Sequence, residues 1–142
     1  MKNQIKSKGK LKSKHLWIIL LTLIFSLFVI ITFFTNNDTL IQRNSLKLYY
    51  TNTITKDEAV KLVDYLSKMG FDEGNTKSCR VNKNQYIYEI TFPIKKGLEN
   101  DSETLFNAKI TAKQISINVF NNERVDLLLS DENSNILRTV IY

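Results

Sequence analysis

The sequence predicts an α+β protein, in which a single N-terminal transmembrane helix precedes a ferredoxin-like domain with the element order β-α-β-β-α-β-β. Three observations lead to this fold class. An uncharged apolar run occupies Leu16 to Phe34. A helix-capping box at residues 55–58 stands before apolar residues spaced by three and four. Residues 85–94 alternate between two faces, as a half-buried strand does.

The N-terminal segment consists of a basic tail, residues 1–15, and the apolar run, residues 16–34. As a helix, the run would span about 28 Å, close to the ~30 Å hydrocarbon core of a bilayer. The apolar region of a cleaved signal is shorter and ends in small residues, whereas this run ends in Phe33 and Phe34. We therefore expect an uncleaved signal-anchor that contacts the lipid bilayer through Leu16 to Phe34. A cleaved signal peptide and a buried soluble helix are the weaker alternatives.

The positive charge of the protein lies in the tail. The chain has a net charge of +6, and the first fourteen residues contain six lysines and no acid. The rest of the chain is balanced, which argues against nucleic-acid binding, because that needs a basic surface on the fold. Lysines flanking a span stay in the cytoplasm. The predicted location is the cytoplasmic membrane, with the N-terminus inside and the C-terminal domain outside.

The remaining residues divide into a polar spacer, 35–45, and an extracytoplasmic α+β domain, 46–142. Residues 46–51 alternate as a first strand. The first helix begins at the Thr55 cap, which is paired with Glu58, and it ends at Gly70, where a left-handed residue is favoured.

Two hairpins and a second helix complete the predicted domain. Residues 77–81 and 85–94 form the first hairpin, with Tyr86, Tyr88, Ile90, Phe92 and Ile94 on one face of its second strand. The second helix runs from Asp101 or Ser102 to about Phe120, and Asn121-Asn122 ends it. Residues 125–129 and 136–141 form the closing hairpin. In the ferredoxin-like arrangement, both helices cover one face of an antiparallel sheet.

These motifs resemble those of an uncharacterised family of small bacterial proteins. The shared features are a Tyr-Tyr-Thr strand, here Tyr49-Tyr50-Thr51, and a Lys-acid-Glu-Ala helix, here 56–59, which ends in Gly-Phe, here Gly70-Phe71. The likeness covers about residues 46–142. It implies a bacterial origin and no particular activity.

The sequence offers little for catalysis or metal binding. Cys79 is the only cysteine and His15 the only histidine, which excludes His-dependent nucleophiles and the usual zinc sites. Residues 131–135 open like a calcium loop but lack its later ligands, so a polar hairpin turn explains them equally well. The tyrosines at 49, 50, 86 and 88 suit a half-buried sheet better than a stacking platform. We expect no enzyme activity, no cofactor and no metal.

One feature of the second helix exceeds what a surface helix needs. Leu105, Ala108, Ala112, Ile115 and Val119 form one apolar stripe, and a second, displaced stripe contains Phe106, Ile110, Ile117 and Phe120. Either the first helix or the spacer covers the second stripe, or it contacts another chain.

Two functional interpretations follow. The first is a single-pass, membrane-anchored interaction or structural module that binds an unknown protein partner or a second copy of itself. The alternative is a small-ligand-binding or non-His enzymatic domain tethered to the membrane, which a deep polar pocket with convergent carboxylates would favour.

Overall fold

A computed structural model describes residues 38–141, which form one six-stranded sheet and two helices. Eight elements follow one another along the chain: β1 (Thr39–Arg43), β2 (Leu46–Tyr50), α1 (Lys56–Lys68), β3 (Lys77–Asn84), β4 (Ile87–Pro93), α2 (Ser102–Asn118), β5 (Arg124–Ser130) and β6 (Ile136–Ile141). The predicted tail and transmembrane helix, residues 1–34, lie outside the described residues. Within residues 38–141, neither helix is long and apolar enough to cross a bilayer.

The α+β class is confirmed, but the antiparallel, ferredoxin-like sheet is wrong. The strands lie in sequence order, β1-β2-β3-β4-β5-β6. Each helix joins two neighbouring parallel strands, β2 to β3 and β4 to β5, while the other three pairs are antiparallel hairpins. A split arrangement would need another strand between the two strands that each helix joins. The sheet is therefore mixed.

The prediction of a spacer over residues 35–45 is wrong for its second half. Thr39–Arg43 forms β1, which pairs with the whole of β2 and covers the edge of the sheet. Ile41 packs against the core, and Arg43 Nε lies 2.9 Å from Asp64 Oδ1 on α1. Four of the five β1 side chains are exposed, which is why an edge strand of this kind has the composition of a linker.

The first helix begins and ends where its capping signals predict, whereas α2 begins at its predicted cap but ends at Asn118, two residues earlier than predicted. On α1, the Thr55 hydroxyl accepts from the Glu58 amide at 3.2 Å, and the Thr55 amide donates to Glu58 Oε2 at 2.8 Å. Gly70 adopts φ 81°, and the Phe71 amide donates back to Leu66 at 3.0 Å. On α2, Asp101 accepts from the Thr104 amide at 2.8 Å.

The core lies between one face of the sheet and both helices. Alternate strand residues point toward it, including Leu48, Val81, Ile90 and Leu127, each at most 2% exposed. Because β4 runs antiparallel to β2 while both helices cover the same face, the two crossovers have opposite hands. One of them therefore has the rare left-handed sense. With the strands in this order, both helices can cover the same apolar face only if one crossover is left-handed.

The sheet has two ends with different loops. The proximal end, where Asp38 leads into β1, carries residues 51–55, 85–86 and 119–123. The distal end carries residues 44–45, 69–76, 94–101 and 131–135. The helices run in opposite directions between these ends, because the strands that α1 connects, β2 and β3, point opposite to the strands that α2 connects, β4 and β5.

Candidate interaction surface

Three large apolar side chains of α2 face away from the sheet. Phe106 is 64% exposed, Ile110 39% and Ile117 48%. At about 100° per residue they lie roughly opposite Ala108, Ala112 and Ile115, which are buried. The described part of the chain therefore leaves this surface uncovered. We call Phe106, Ile110 and Ile117 the outer stripe.

Phe120 does not belong to the outer stripe, contrary to the sequence prediction. The helix ends at Asn118, and the chain then turns through Asn121 and Asn122, which have φ values of 53° and 67°. This turn directs Phe120 inward, where it is 2% exposed and stacks on Tyr88 with ring centroids 3.7 Å apart. Helical spacing does not predict the direction of a side chain that lies beyond the end of the helix.

A groove of about 490 Å³ lies between α2, the distal part of the sheet and the loop that follows α1. Its walls are mostly apolar, and they include Leu46, Phe71, Phe92, Ile94, Ala108 and Leu129. Phe71 and Phe92 contact each other with centroids 5.4 Å apart, and Lys77 Nζ lies 5.9 Å from the Phe71 ring. The groove can thus hold an apolar group, with one cation near its mouth.

At the proximal end, polar side chains converge around Tyr88. The Tyr88 hydroxyl donates to Glu58 and accepts from Lys83 Nζ at 2.8 Å, while Lys83 also pairs with Glu123 at 2.8 Å. Burial alone would raise the pKa of Glu58, but hydrogen bonds from Tyr88 and Thr55 outweigh it and lower the pKa.

This cluster favours a structural role over proton transfer. Burial and the Glu58 carboxylate raise the pKa of Tyr88, so the phenol keeps its proton. The bonds to Glu123 and Tyr88 raise the pKa of Lys83, so the ammonium stays charged. Neither group is set up to act as a base near neutral pH. The cluster ties α1, the β3–β4 hairpin and the start of β5 together.

Two further acidic residues also have structural partners within the fold. Asp131 accepts from the Asn133 and Asn135 amides at 2.9 and 2.8 Å, which forms a hairpin turn. Asp72 accepts from the side chains of Ser67 and Asn44, which lower its pKa and join the end of α1 to the β1–β2 turn. In the range 38–141, no group of three His, Cys, Asp or Glu residues could hold a metal ion.

Cys79 and two of the tyrosines are buried in the sheet. Cys79 is 3% exposed, and burial raises the pKa of its thiol to about 12. Tyr50 and Tyr88 are buried on the helix side of the sheet, whereas Tyr86 lies in the β3–β4 turn and is 82% exposed. The prediction that Tyr86 shares the buried face of β4 is wrong, because the strand begins only at Ile87.

The sequence did not predict the groove or the cluster around Tyr88. Several elements that are distant in sequence contribute to the groove walls, so no local pattern signals it. Glu58 was recognised only as a capping residue. Its second carboxylate oxygen, which accepts from Tyr88, carries no separate sequence signal.

The fold and the exposed surfaces define a small α+β domain with an apolar outer helix face and an apolar groove. The chain belongs to the AF_1994_N family, whose N-terminal domain matches residues 40–141. The match includes nearly all of β1, in agreement with a domain that begins before residue 46. No curated protein and no solved structure shows significant similarity to the chain.

Proposed function

We propose that this protein is a single-pass, membrane-anchored interaction module that displays its α+β domain outside the cytoplasmic membrane. The apolar run Leu16 to Phe34 and the lysines before it support the anchor and its orientation. The domain acts by binding a protein partner and carries out no chemical reaction. The polar cluster at Tyr88 supports this, because the pKa shifts of Glu58 and Tyr88 hold these two groups in the protonation states that maintain the fold.

The outer stripe carries the proposal. An apolar helix face is a common element of protein recognition, since it docks in a groove of the partner through residues one and two turns apart. Phe106, Ile110 and Ile117 have this spacing and remain exposed among the described residues. Confinement to a membrane raises the effective concentration of the domain, so a contact made by only three side chains can hold the domain and its partner together.

The contact is tested by site-specific photo-crosslinking of the full-length protein in native membranes. A photoreactive residue at Phe106 should form a discrete adduct, and a photoreactive residue at Thr139, on the exposed surface of β6, should not. Ile110→Ser combined with Ile117→Ser should abolish the adduct without lowering the amount of protein. Equal adducts at both positions, or an adduct that persists in the double variant, would contradict the assignment.

The topology is tested separately. A phosphatase reporter fused after Tyr142 should be active outside the cytoplasm, and the mature protein should keep the mass of the whole chain. An inactive fusion, or a mature protein that lacks about 35 N-terminal residues, would refute the anchor.

The groove supports a second candidate function, the binding of a small apolar ligand. Thr111 lines the groove and is half-buried, so Thr111→Phe should fill it. A fluorescent fatty acid should bind the wild-type protein and lose affinity for Thr111→Phe. The matched variant Thr139→Phe, on the exposed β6 surface, should bind normally. Absence of saturable binding to the wild type would reject this candidate.

A further inference from the structure

The proximal end of the domain projects beyond the point where the chain enters the sheet. Thr39 pairs with Tyr50, and Tyr50 pairs with Val81, so these residues lie at one level across the sheet. The β3–β4 hairpin continues for four residues past Val81 to its turn at Gln85. At about 3.3 Å per residue, the hairpin tip lies about 13 Å beyond the level of Thr39.

The chain between Thr39 and the predicted span is barely longer than this projection. Five residue steps separate Thr39 from Phe34, where the apolar run ends. Fully extended, they cover at most about 18 Å. If residues 16–34 span the bilayer and the strands stand upright, this reach would keep the hairpin tip within about 5 Å of the hydrocarbon core. The headgroup layer of each leaflet has about this thickness or slightly more, so such a tip would contact it.

The two ends of the domain differ in charge, as a contact between the proximal end and a bilayer would require. The proximal loops contain one charged residue, Glu123, which pairs with Lys83, and Asp38 at the start of β1 pairs with Arg80. The distal loops contain six acids and two lysines: Asp72, Glu73, Glu99, Asp101, Asp131 and Glu132, with Lys95 and Lys96. Tyr86 is 82% exposed at the hairpin tip. Tyrosine favours the membrane interface because its ring is apolar and its hydroxyl is polar.

We propose that the proximal end of the domain rests on the phospholipid surface, with Tyr86 inserted among the headgroups. This inference rests on the anchor of the proposed function. It adds a second membrane contact, made by the folded domain, which sets the orientation of that domain. Because α2 runs between the two ends, the outer stripe then extends away from the bilayer and faces neighbouring membrane proteins. The groove opens on the side remote from the lipid.

The test uses the full-length protein in vesicles of phosphatidylcholine and phosphatidylglycerol. Trp17→Phe removes the only native tryptophan, and Tyr86→Trp or Lys96→Trp then places one reporter at the proximal or the distal end. Lipids brominated near the headgroup end of their acyl chains should quench the emission of Tyr86→Trp. They should leave the emission of Lys96→Trp unchanged.

Flotation of the vesicles separates this inference from the proposed function. Protein that fails to float has no anchor, and both proposals are then rejected. Protein that floats but shows equal emission from Tyr86→Trp with and without brominated lipid keeps its anchor and rejects the surface contact alone. Emission from Tyr86→Trp that shifts to the blue with protein concentration, without quenching, would assign the hairpin tip to a second copy of the chain and also overturn the inference.

Discussion

The exposure of the outer stripe can be tested by one substitution at two positions of the same helix. Ile115 is fully buried, whereas Ile117 is 48% exposed two residues further along α2. Isoleucine and serine have similar helix propensities, so Ile→Ser changes the intrinsic stability of the helix little at either position. The difference between the two variants therefore reports the burial of each side chain.

The structure gives different expected losses for the two variants. Ile115→Ser leaves a cavity and a hydroxyl in the core, which should lower the free energy of unfolding by about 3–5 kcal/mol. Ile117→Ser removes a side chain that is about half exposed, and the loss should stay below about 1 kcal/mol. A difference of at least ~2 kcal/mol corresponds to a separation of about 8 °C or more in Tm for a domain of this size.

The assay is urea unfolding of residues 38–142, followed by far-ultraviolet circular dichroism. The unfolding slope must be the same for the two variants and the wild type, so that a changed midpoint reports a changed stability. Leu62→Ser, in the buried face of α1, is the control that should be as destabilising as Ile115→Ser. If Ile117→Ser were as costly as Ile115→Ser, the outer stripe would be buried and the proposed contact surface would be lost.

Three further predictions concern stability and reactivity. The pKa of Glu58 is lowered in the folded protein, so the stability that Glu58 contributes is complete above the unfolded pKa of about 4.5 and is lost as pH falls through the folded pKa. Tyr88→Phe should lower the free energy of unfolding by about 1–2 kcal/mol at pH 7 and reduce this acid-dependent loss. Urea unfolding at pH 7 and pH 3 would show both effects. Cys79, with a buried thiol whose pKa is raised to about 12, should resist maleimide at pH 7.5 unless urea is present, and rapid labelling of the native protein would contradict its burial. Residues 46–142 should be about 1–3 kcal/mol less stable than residues 38–142, because removal of β1 uncovers the edge of β2, and equal stabilities would show that β1 contributes nothing.

Local elements of this protein were predictable from sequence because their signals act over a few residues. The Thr55–Glu58 box, the Gly70 terminator and the Asp101 cap each depend on hydrogen bonds within one helical turn. The β3–β4 hairpin likewise follows from alternation and a short turn. The outer stripe was also predictable from the sequence, since two apolar stripes on one helix exceed what packing on a single sheet needs.

Tertiary structure decided which strands became neighbours. Alternation tells which side chains of a strand are buried, but it does not identify the strand alongside, since many pairings bury the same face. The direct parallel pairing of β2 with β3, and of β4 with β5, was therefore not predictable from residue patterns. The same holds for β1, whose side chains are mostly exposed and whose strand state depends on backbone bonds to β2.

The position of Phe120 shows the same division within the candidate surface. The helical period placed it beside Phe106, Ile110 and Ile117, and that reasoning applies only while the helix continues. Beyond Asn118, the stacking of Phe120 on Tyr88 depends on the β3–β4 hairpin, about thirty residues earlier in the chain. Local hydrogen bonding was sufficient to define the helix, whereas contacts between distant segments determined which apolar residues entered the core and which remained exposed.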